Sequence, residues 1–344
     1  MKTLLNSIRK GLKYSGQGDK MNKIGLLFFC FVMSIFQSNI ICSAEQDEAT
    51  YKLQEAEHGV TLPESGKIED VNKTSYMREN GAFKKAKGPF KAYYESGQLE
   101  QEVIYKDGKK EGPFKQYYKS GKLAEEGTFK DGKLEGPFKQ YYESGELEGG
   151  GTYKNNKFEG SCKIYYQSRQ LHQEMIFKDG KLEGPFKDYY ENGHLLKEGF
   201  YNNGKREGPL RQYYENGKPE EEGDFKNDKL EGLCKQYYES GELKGEGIFK
   251  AGKKEGLYKG YYKNGNLQGE ITFSNNNPAG PYKLYYENGM PAEEGPYKDG
   301  KQDGKFKEYR KDGSLEYLDT YKNGVKLNRK AYDEEGKLKF EQNY

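Results

Sequence analysis

A single spacing governs what this 344-residue chain can fold into. Glycine stands at Gly88, Gly112, Gly136, Gly160, Gly184, Gly208, Gly232, Gly256, Gly280 and Gly304, in steps of 24 residues with no insertion. Five residues further on there is always tyrosine. Six residues on it is tyrosine in nine units and Arg310 in the tenth. Seventeen residues on it is always Tyr or Phe, as at Tyr105 and Phe129. A fixed period of this length marks stacked repeats, in which each unit buries its apolar side against its neighbours.

Each unit contains two turn signals, Ser-Gly or Asn-Gly first and often Asp-Gly second, as at Ser144-Gly145 and Asp107-Gly108. Two-residue loops of this composition favour type I′ turns, whose twist suits antiparallel strands. Neither connection is long enough for a parallel crossover. The expected fold class is therefore all-β: an elongated single-layer antiparallel β-hairpin repeat array of ten 24-residue units over residues 88–327. Two strands per unit give about twenty strands. No helical period interrupts residues 88–344.

A register follows if Ser144-Gly145 is the first loop. Tyr142 then faces Leu147, Lys139 faces Gly150, Phe138 faces Gly151 and Gly136 faces Tyr153. Equivalent positions pair Lys115 with Glu126, Lys187 with Glu198, Arg211 with Glu222 and Lys283 with Glu294, and eight of ten units place opposite charges here. Such pairs contribute about 0.2–1 kcal/mol each and penalise a slipped register. One face carries the Phe slot, the second tyrosine, the leucine after the first turn and the return-strand aromatic, with glycines under the rings. The other carries the Lys–Glu pairs and the first tyrosine, because strand side chains alternate.

Composition supports this picture only through its aromatics. Hydrophobic and charged residues each make 33% of the chain and Trp is absent, a balance typical of disorder. The 32 Tyr, 18 Phe and 45 Gly instead suit short strands joined by tight turns.

The N-terminus reads differently. Ile24 to Ile41 is nearly all apolar, follows Lys20 and Lys23, and leads to Cys42-Ser43-Ala44 and an acidic stretch. Residues 1–44 have the pattern of a secretory signal cleaved after Ala44, with Met21 a second candidate start. A retained signal anchor is the alternative, since 18 apolar residues nearly span a bilayer. Lipid attachment at Cys42 is a third reading, although Asn39 and Ile41 fit a lipobox poorly. Residues 45–87 read as a polar linker and N-terminal cap, and 328–344 as a C-terminal capping hairpin. Without residues 1–44 the chain holds 51 basic and 54 acidic residues, net −3. That balance offers no footprint for nucleic acid. The expected location is exported: extracellular, cell surface or periplasm. Membrane contact is expected only through an uncleaved signal or a lipid anchor at Cys42.

Catalytic chemistry is not encoded. His58, His172 and His194 share no repeat slot, and the glycines read as turn glycines. The repeated carboxylates Glu135, Glu183 and Glu231 read as solvated charges flanking turns. No cofactor, metal or disulfide is expected, and the chain reads as a non-enzyme. Cys162 and Cys234 occupy the Phe slot of units six strands apart, roughly 29 Å, well beyond disulfide reach. They should be free and buried. The candidate binding ladder is the first tyrosine of each unit: Tyr93, Tyr117, Tyr141, Tyr165, Tyr189, Tyr213, Tyr237, Tyr261, Tyr285 and Tyr309. Tyrosine joins apolar area to a polar handle, which suits a contact surface.

The unit G-P-F-K-x-Y-Y-x-N/S-G-x-L followed by Y/F-K-x-G-K resembles the variant MORN repeat of bacterial exported 24-residue repeat proteins, over about 240 residues. The resemblance implies β-hairpin units building an elongated sheet, and roles in scaffolding, protein contacts and lipid contacts. Some bacterial relatives carry an antitoxin label. The leading expectation is a non-catalytic exported protein presenting an extended surface to a protein partner, in surface adhesion or scaffolding. An envelope or host-glycan binding module is one alternative, and an antitoxin-like neutralising protein is another.

Overall fold

The computed structural model describes residues 68–71, 74–79 and 82–344. The expected signal, the Cys42 anchor and residues 45–67 of the expected linker lie outside the described residues. Every regular element among the described residues is a β-strand. They fall into two compact units, each described by itself: one runs to Gly265 and includes 273–277, and the other comprises 266–272 and 278–344.

The first unit opens with an antiparallel meander of Ile68–Val71, Thr74–Glu79 and Ala82–Lys85. Residues expected to be linker and cap are therefore partly paired strand. The 24-residue hairpins follow, and the third shows their construction. Its strands Gly136–Tyr141 and Leu147–Lys154 pair antiparallel, with Gly136 opposite Tyr153, Phe138 opposite Gly151 and Lys139 opposite Gly150, as expected.

The first turn differs from expectation. Tyr141, not Tyr142, stands opposite Leu147. The Tyr142 N–H donates to the Glu146 carbonyl (2.9 Å) and the Gly145 N–H to the Tyr142 carbonyl (2.8 Å). Only Gly145 is left-handed here, at φ 106°, so this is a three-residue loop and not a type I′ turn. A type I′ turn needs positive φ at two consecutive residues, and Ser144 does not supply it. The leucine consequently lies with the first tyrosine, and the second tyrosine packs with the residue after that leucine. Tyr166 stacks on His172 at 4.2 Å, and Lys244 lies 6.0 Å from the Tyr238 ring centroid. The second turn is the expected one, with Asp107 and Gly108 both left-handed at φ 51° and 80°.

Strand segments number 28 from Gly88 onward instead of about twenty. The cause is the opening glycine, which takes φ +87° at Gly136 and interrupts the strand leaving the second turn. Tyr105 faces Lys110 whereas Glu102 faces Lys115, so two extra residues enter at this break. In most repeats the interruption leaves a separate two-residue strand such as Lys157–Phe158.

That short segment closes the packed face. Phe138 meets Tyr153 edge-on at 5.3 Å, Tyr153 meets Phe158 at 4.1 Å, and Phe158 meets Phe177 at 5.2 Å. Such ring pairs add about 0.5–1.5 kcal/mol beyond the area they bury. Elsewhere the slot of Phe158 holds buried Leu230, or a cation over a ring: Arg206 lies 4.4 Å from the Phe225 centroid. Glycine beneath the rings is a steric requirement, since a Cβ on Gly127 would come within 2.8 Å of Phe114. Cys162 and Cys234 are free and buried in the Phe slot, and burial pushes the Cys162 thiol up to about 12.

In the second unit the same ring chain runs from Tyr282 through Tyr297 and Phe306 to Tyr321, at 5.6, 5.5 and 5.3 Å. It ends in the hairpin of Val325–Tyr332 and Leu338–Asn343. Here Arg329 grips buried Asp319 with two hydrogen bonds of 2.7 Å.

Two side chains join each repeat to the next. The second tyrosine donates its hydroxyl to the backbone carbonyl of the next unit's first tyrosine, from Tyr94 to Tyr117 (2.6 Å) as far as Tyr238 to Tyr261 (2.8 Å). In the second unit Tyr286 does so to Tyr309 (2.6 Å), and Arg310 takes over the role toward the Tyr332 carbonyl. The carboxylate before each opening glycine accepts the first backbone N–H of the following type I′ turn: Glu135 from Asn155 (2.8 Å), Glu183 from Asn203 (2.7 Å), Glu231 from Ala251 (2.7 Å). These glutamates are thus turn caps and not merely solvated charges. Each such bond contributes about 0.5–1.5 kcal/mol, more where the acceptor is charged.

Candidate binding face

The first tyrosines lie on the sheet face opposite the ring chain. Tyr93, Tyr117, Tyr141, Tyr165, Tyr189 and Tyr237 each stand opposite a leucine of the return strand, and Tyr213 opposite Pro219. In the second unit Tyr309 faces Leu315 and Tyr285 faces Pro291. Tyr261 occupies the equivalent position ending Lys253–Tyr261. Tyr93 is the most open, at 44% exposure, and the others are half-buried.

Their hydroxyls are mostly engaged. Six of the first unit reach back to the ladder glutamate of the preceding repeat: Tyr117 to Glu102 (2.9 Å), Tyr141 to Glu126 (2.8 Å), Tyr189 to Glu174 (3.2 Å), Tyr213 to Glu198 (2.9 Å), Tyr237 to Glu222 (2.6 Å) and Tyr261 to Glu246 (2.9 Å). Tyr309 binds Glu294 in the same way at 2.8 Å. Partial burial and then the glutamate raise the phenols of Tyr117, Tyr189, Tyr213 and Tyr309, and those of Tyr141 and Tyr237 to about 12. They are neutral donors at any physiological pH.

Beside them runs the charge ladder. Glu126 is opposite Lys115 within its own hairpin and opposite Lys139 of the next. Nearest ion pairs accordingly fall on either side: Lys91–Glu102 (2.7 Å) lies within a hairpin, whereas Arg211–Glu198 (3.8 Å) and Lys307–Glu294 (2.8 Å) lie between hairpins. Pairing between hairpins was not legible in the sequence, because it depends on the two-residue offset at the opening glycine. On the same face, beyond the ladder, lies an apolar row of exposed Ile104, Ile176, Phe200, Leu233, Ile248 and Leu257. Pro185 opposite Phe200 and Leu233 opposite Ile248 show how the row is built by cross-strand pairs. The period does not reveal this row because its members fall at two repeat positions that hold Thr, Asp or Pro in other units.

The packed face hides a second feature. Next to the Phe slot runs a polar row of Gln101, Glu125, Gln173, Asp188 and Glu221, buried or half-buried. Burial pushes the carboxyls of Glu125 and Glu221 up to about 7, and that of Glu293 in the second unit up to about 8. Glu221 accepts from the Cys234 thiol (3.3 Å) and the Gln236 amide (3.2 Å). Among the described residues no group of three or more His, Cys, Asp or Glu is placed to hold a metal ion.

The model of the family described as MORN repeat variant matches residues 87–107, 110–131, 134–155, 182–203, 206–227, 230–251, 254–275, 279–299, 302–323 and 328–344. It passes over 156–181, which contains the fourth hairpin. Repeats of this kind are generally modules that bind proteins or membranes. No curated protein matches the chain. Among solved structures, the crystal structure of TcdB2-TccC3-Cdc42 matches 77% of the chain at 11% identity and a TM-score of 0.17. That of TcdB2-TccC3-TEV matches 77% at 13% identity, also with a TM-score of 0.17. The chain spans 16% of the length of either, and likeness at this level carries no argument.

Proposed function

The chain belongs to the MORN repeat variant family, and from that premise we propose that it is a non-catalytic exported protein whose charged face binds a protein partner. The observation that carries this reading is the combination on one face. Tyrosine–leucine pairs, a charge ladder and an exposed apolar row run side by side at constant register. Apolar area flanked by fixed charges is what a protein interface requires: contact area for affinity and charge for orientation. The packed face is occupied by its own rings and offers little to a partner. Export is supported by the apolar stretch from Ile24 to Ile41 and the small residues before Glu45. Surface adhesion and scaffolding are the roles this arrangement suits.

The test is crosslinking on intact cells with photoreactive groups at Phe200 and Leu233, followed by identification of the crosslinked protein and sequencing of the mature N-terminus. A discrete partner captured from these positions but not from the buried Phe186, with a mature chain beginning at Glu45, is the expected result. Retention of the full-length chain in the cytoplasm would remove the exported reading.

A further inference from the structure

The charge ladder has a break. At the position where eight other hairpins of 88–327 place glutamate on the return strand facing a cation, the third places Gly150 and the tenth Leu318. Its two neighbours are intact: Lys139 stands directly opposite Gly150 on one side and Lys163 on the other. Tyr165, whose counterparts donate to the missing glutamate, keeps its register opposite Leu171, and its hydroxyl has no acceptor among the described residues. Both lysines are about half exposed and lean to the outer glutamates at long range, Lys139 to Glu126 at 4.0 Å and Lys163 to Glu174 at 3.7 Å.

We propose that the break at Gly150 is a recognition point for a carboxylate side chain presented by a protein partner, bound by Lys139, Lys163 and the Tyr165 hydroxyl. The repeats themselves identify the occupant. Where the ladder is complete, the same two cations and phenol surround a glutamate, with phenol-to-carboxylate distances of 2.6–3.2 Å. The chain cannot supply that group here, because a Cβ on Gly150 would stand 2.7 Å from the Phe138 carbonyl oxygen. The carboxylate must arrive from the solvent side. Along the same strand lie the half-buried Leu147 on one side and exposed Thr152, opposite Pro137, on the other, so the acidic residue meets a mixed surface. The inference rests on the proposed function for the partner's class and adds its chemistry.

The probe is fluorescein-labelled hexaglutamate with blocked ends, titrated into the full chain at low salt and followed by anisotropy, with inorganic phosphate as competitor. Expected is a loss of about tenfold in affinity for the K139Q/K163Q double variant and about threefold for Y165F, with K187Q from an unbroken stretch within about twofold of the parent. Equal losses in K187Q and K163Q would reduce the effect to general electrostatics and overturn the site. Competition by phosphate at the concentration of glutamate side chains would overturn it in favour of a free-anion site. All four substitutions are at exposed or half-buried positions, and thermal melts of each variant exclude unfolding as the cause. Intact-cell capture separates this claim from its premise. A partner held equally by the K139Q/K163Q/Y165F triple variant sinks the site alone, and no partner with the parent chain sinks the interaction reading.

Discussion

The hairpins from Gly184 to Tyr237 and the stretch from Gly149 to Lys181 share one backbone register but not one side-chain pattern. In the first, glutamate fills the ladder at Glu198 and Glu222, and glycine takes the left-handed loop position at Gly193 and Gly217. In the second, Gly150 empties the ladder and Arg169 holds the loop position at φ 71°, while the Phe slot holds Cys162 as it holds Cys234 in the first. Yet Gly160 still faces Phe177 and Lys163 still faces Glu174, as their counterparts do elsewhere. The comparison teaches that the charge ladder marks the register without setting it. Turn geometry sets it and survives every change in this stretch, even where Cys162 opposite Met175 stands in place of a ring over glycine.

The largest effect should come from breaking the period. Removing residues 208–231, one whole repeat of the regular stretch, should leave a cooperatively folding shorter protein by circular dichroism melts. Removing 208–219 should abolish the transition, since half a period exchanges the two turn types and misplaces the ring chain. Equal loss in both would refute repeat-by-repeat stacking.

Next in size is the response to pH. Glu125 and Glu221 resist ionisation when folded, whereas the same slot in the irregular stretch holds Gly149 and Gln173, which do not titrate. A carboxyl raised by folding costs nothing below its unfolded value, destabilises as pH climbs from there to its folded value, and has no further effect above it. Stability should therefore fall between about pH 4.5 and about pH 7, by up to about 3 kcal/mol per group. The substitutions E125Q and E221Q should flatten that slope in denaturant titrations, and Q173N should not change it.

A smaller contrast separates two tyrosines of one ladder. Replacing Tyr141 by Phe removes its bond to Glu126 and should cost about 1 kcal/mol. Replacing Tyr165 by Phe removes no internal bond and should leave the urea midpoint unchanged. Equal costs would show that the hydroxyls act through solvation and not through the ladder.

The smallest effect is at Arg169. Its left-handed backbone strains a residue with a Cβ, and its ion pair to Glu146 at 3.6 Å is exposed. The substitution R169G should raise stability by about 1 kcal/mol in thermal melts, whereas G193R in a regular repeat should lower it by a similar amount.

Much of this was legible from residues alone. The 24-residue step determined the all-β hairpin repeat, the type I′ turn at Asp107-Gly108, the pairing of Phe138 with Gly151 and the outward placement of the first tyrosines, because strand alternation and two-residue turns leave few other solutions. Local chemistry did not reveal the left-handed break at each opening glycine, nor the three-residue first loop, since glycine alone does not report which of its neighbours shares its φ. Only the tertiary structure decided what that break does. It shifts each hairpin by two residues against the last, bringing Glu126 to Lys139, Glu135 to the Asn155 N–H and Tyr142 to the Tyr165 carbonyl. Those contacts join residues 13 to 23 apart, and their geometry depends on a backbone offset that no single repeat contains.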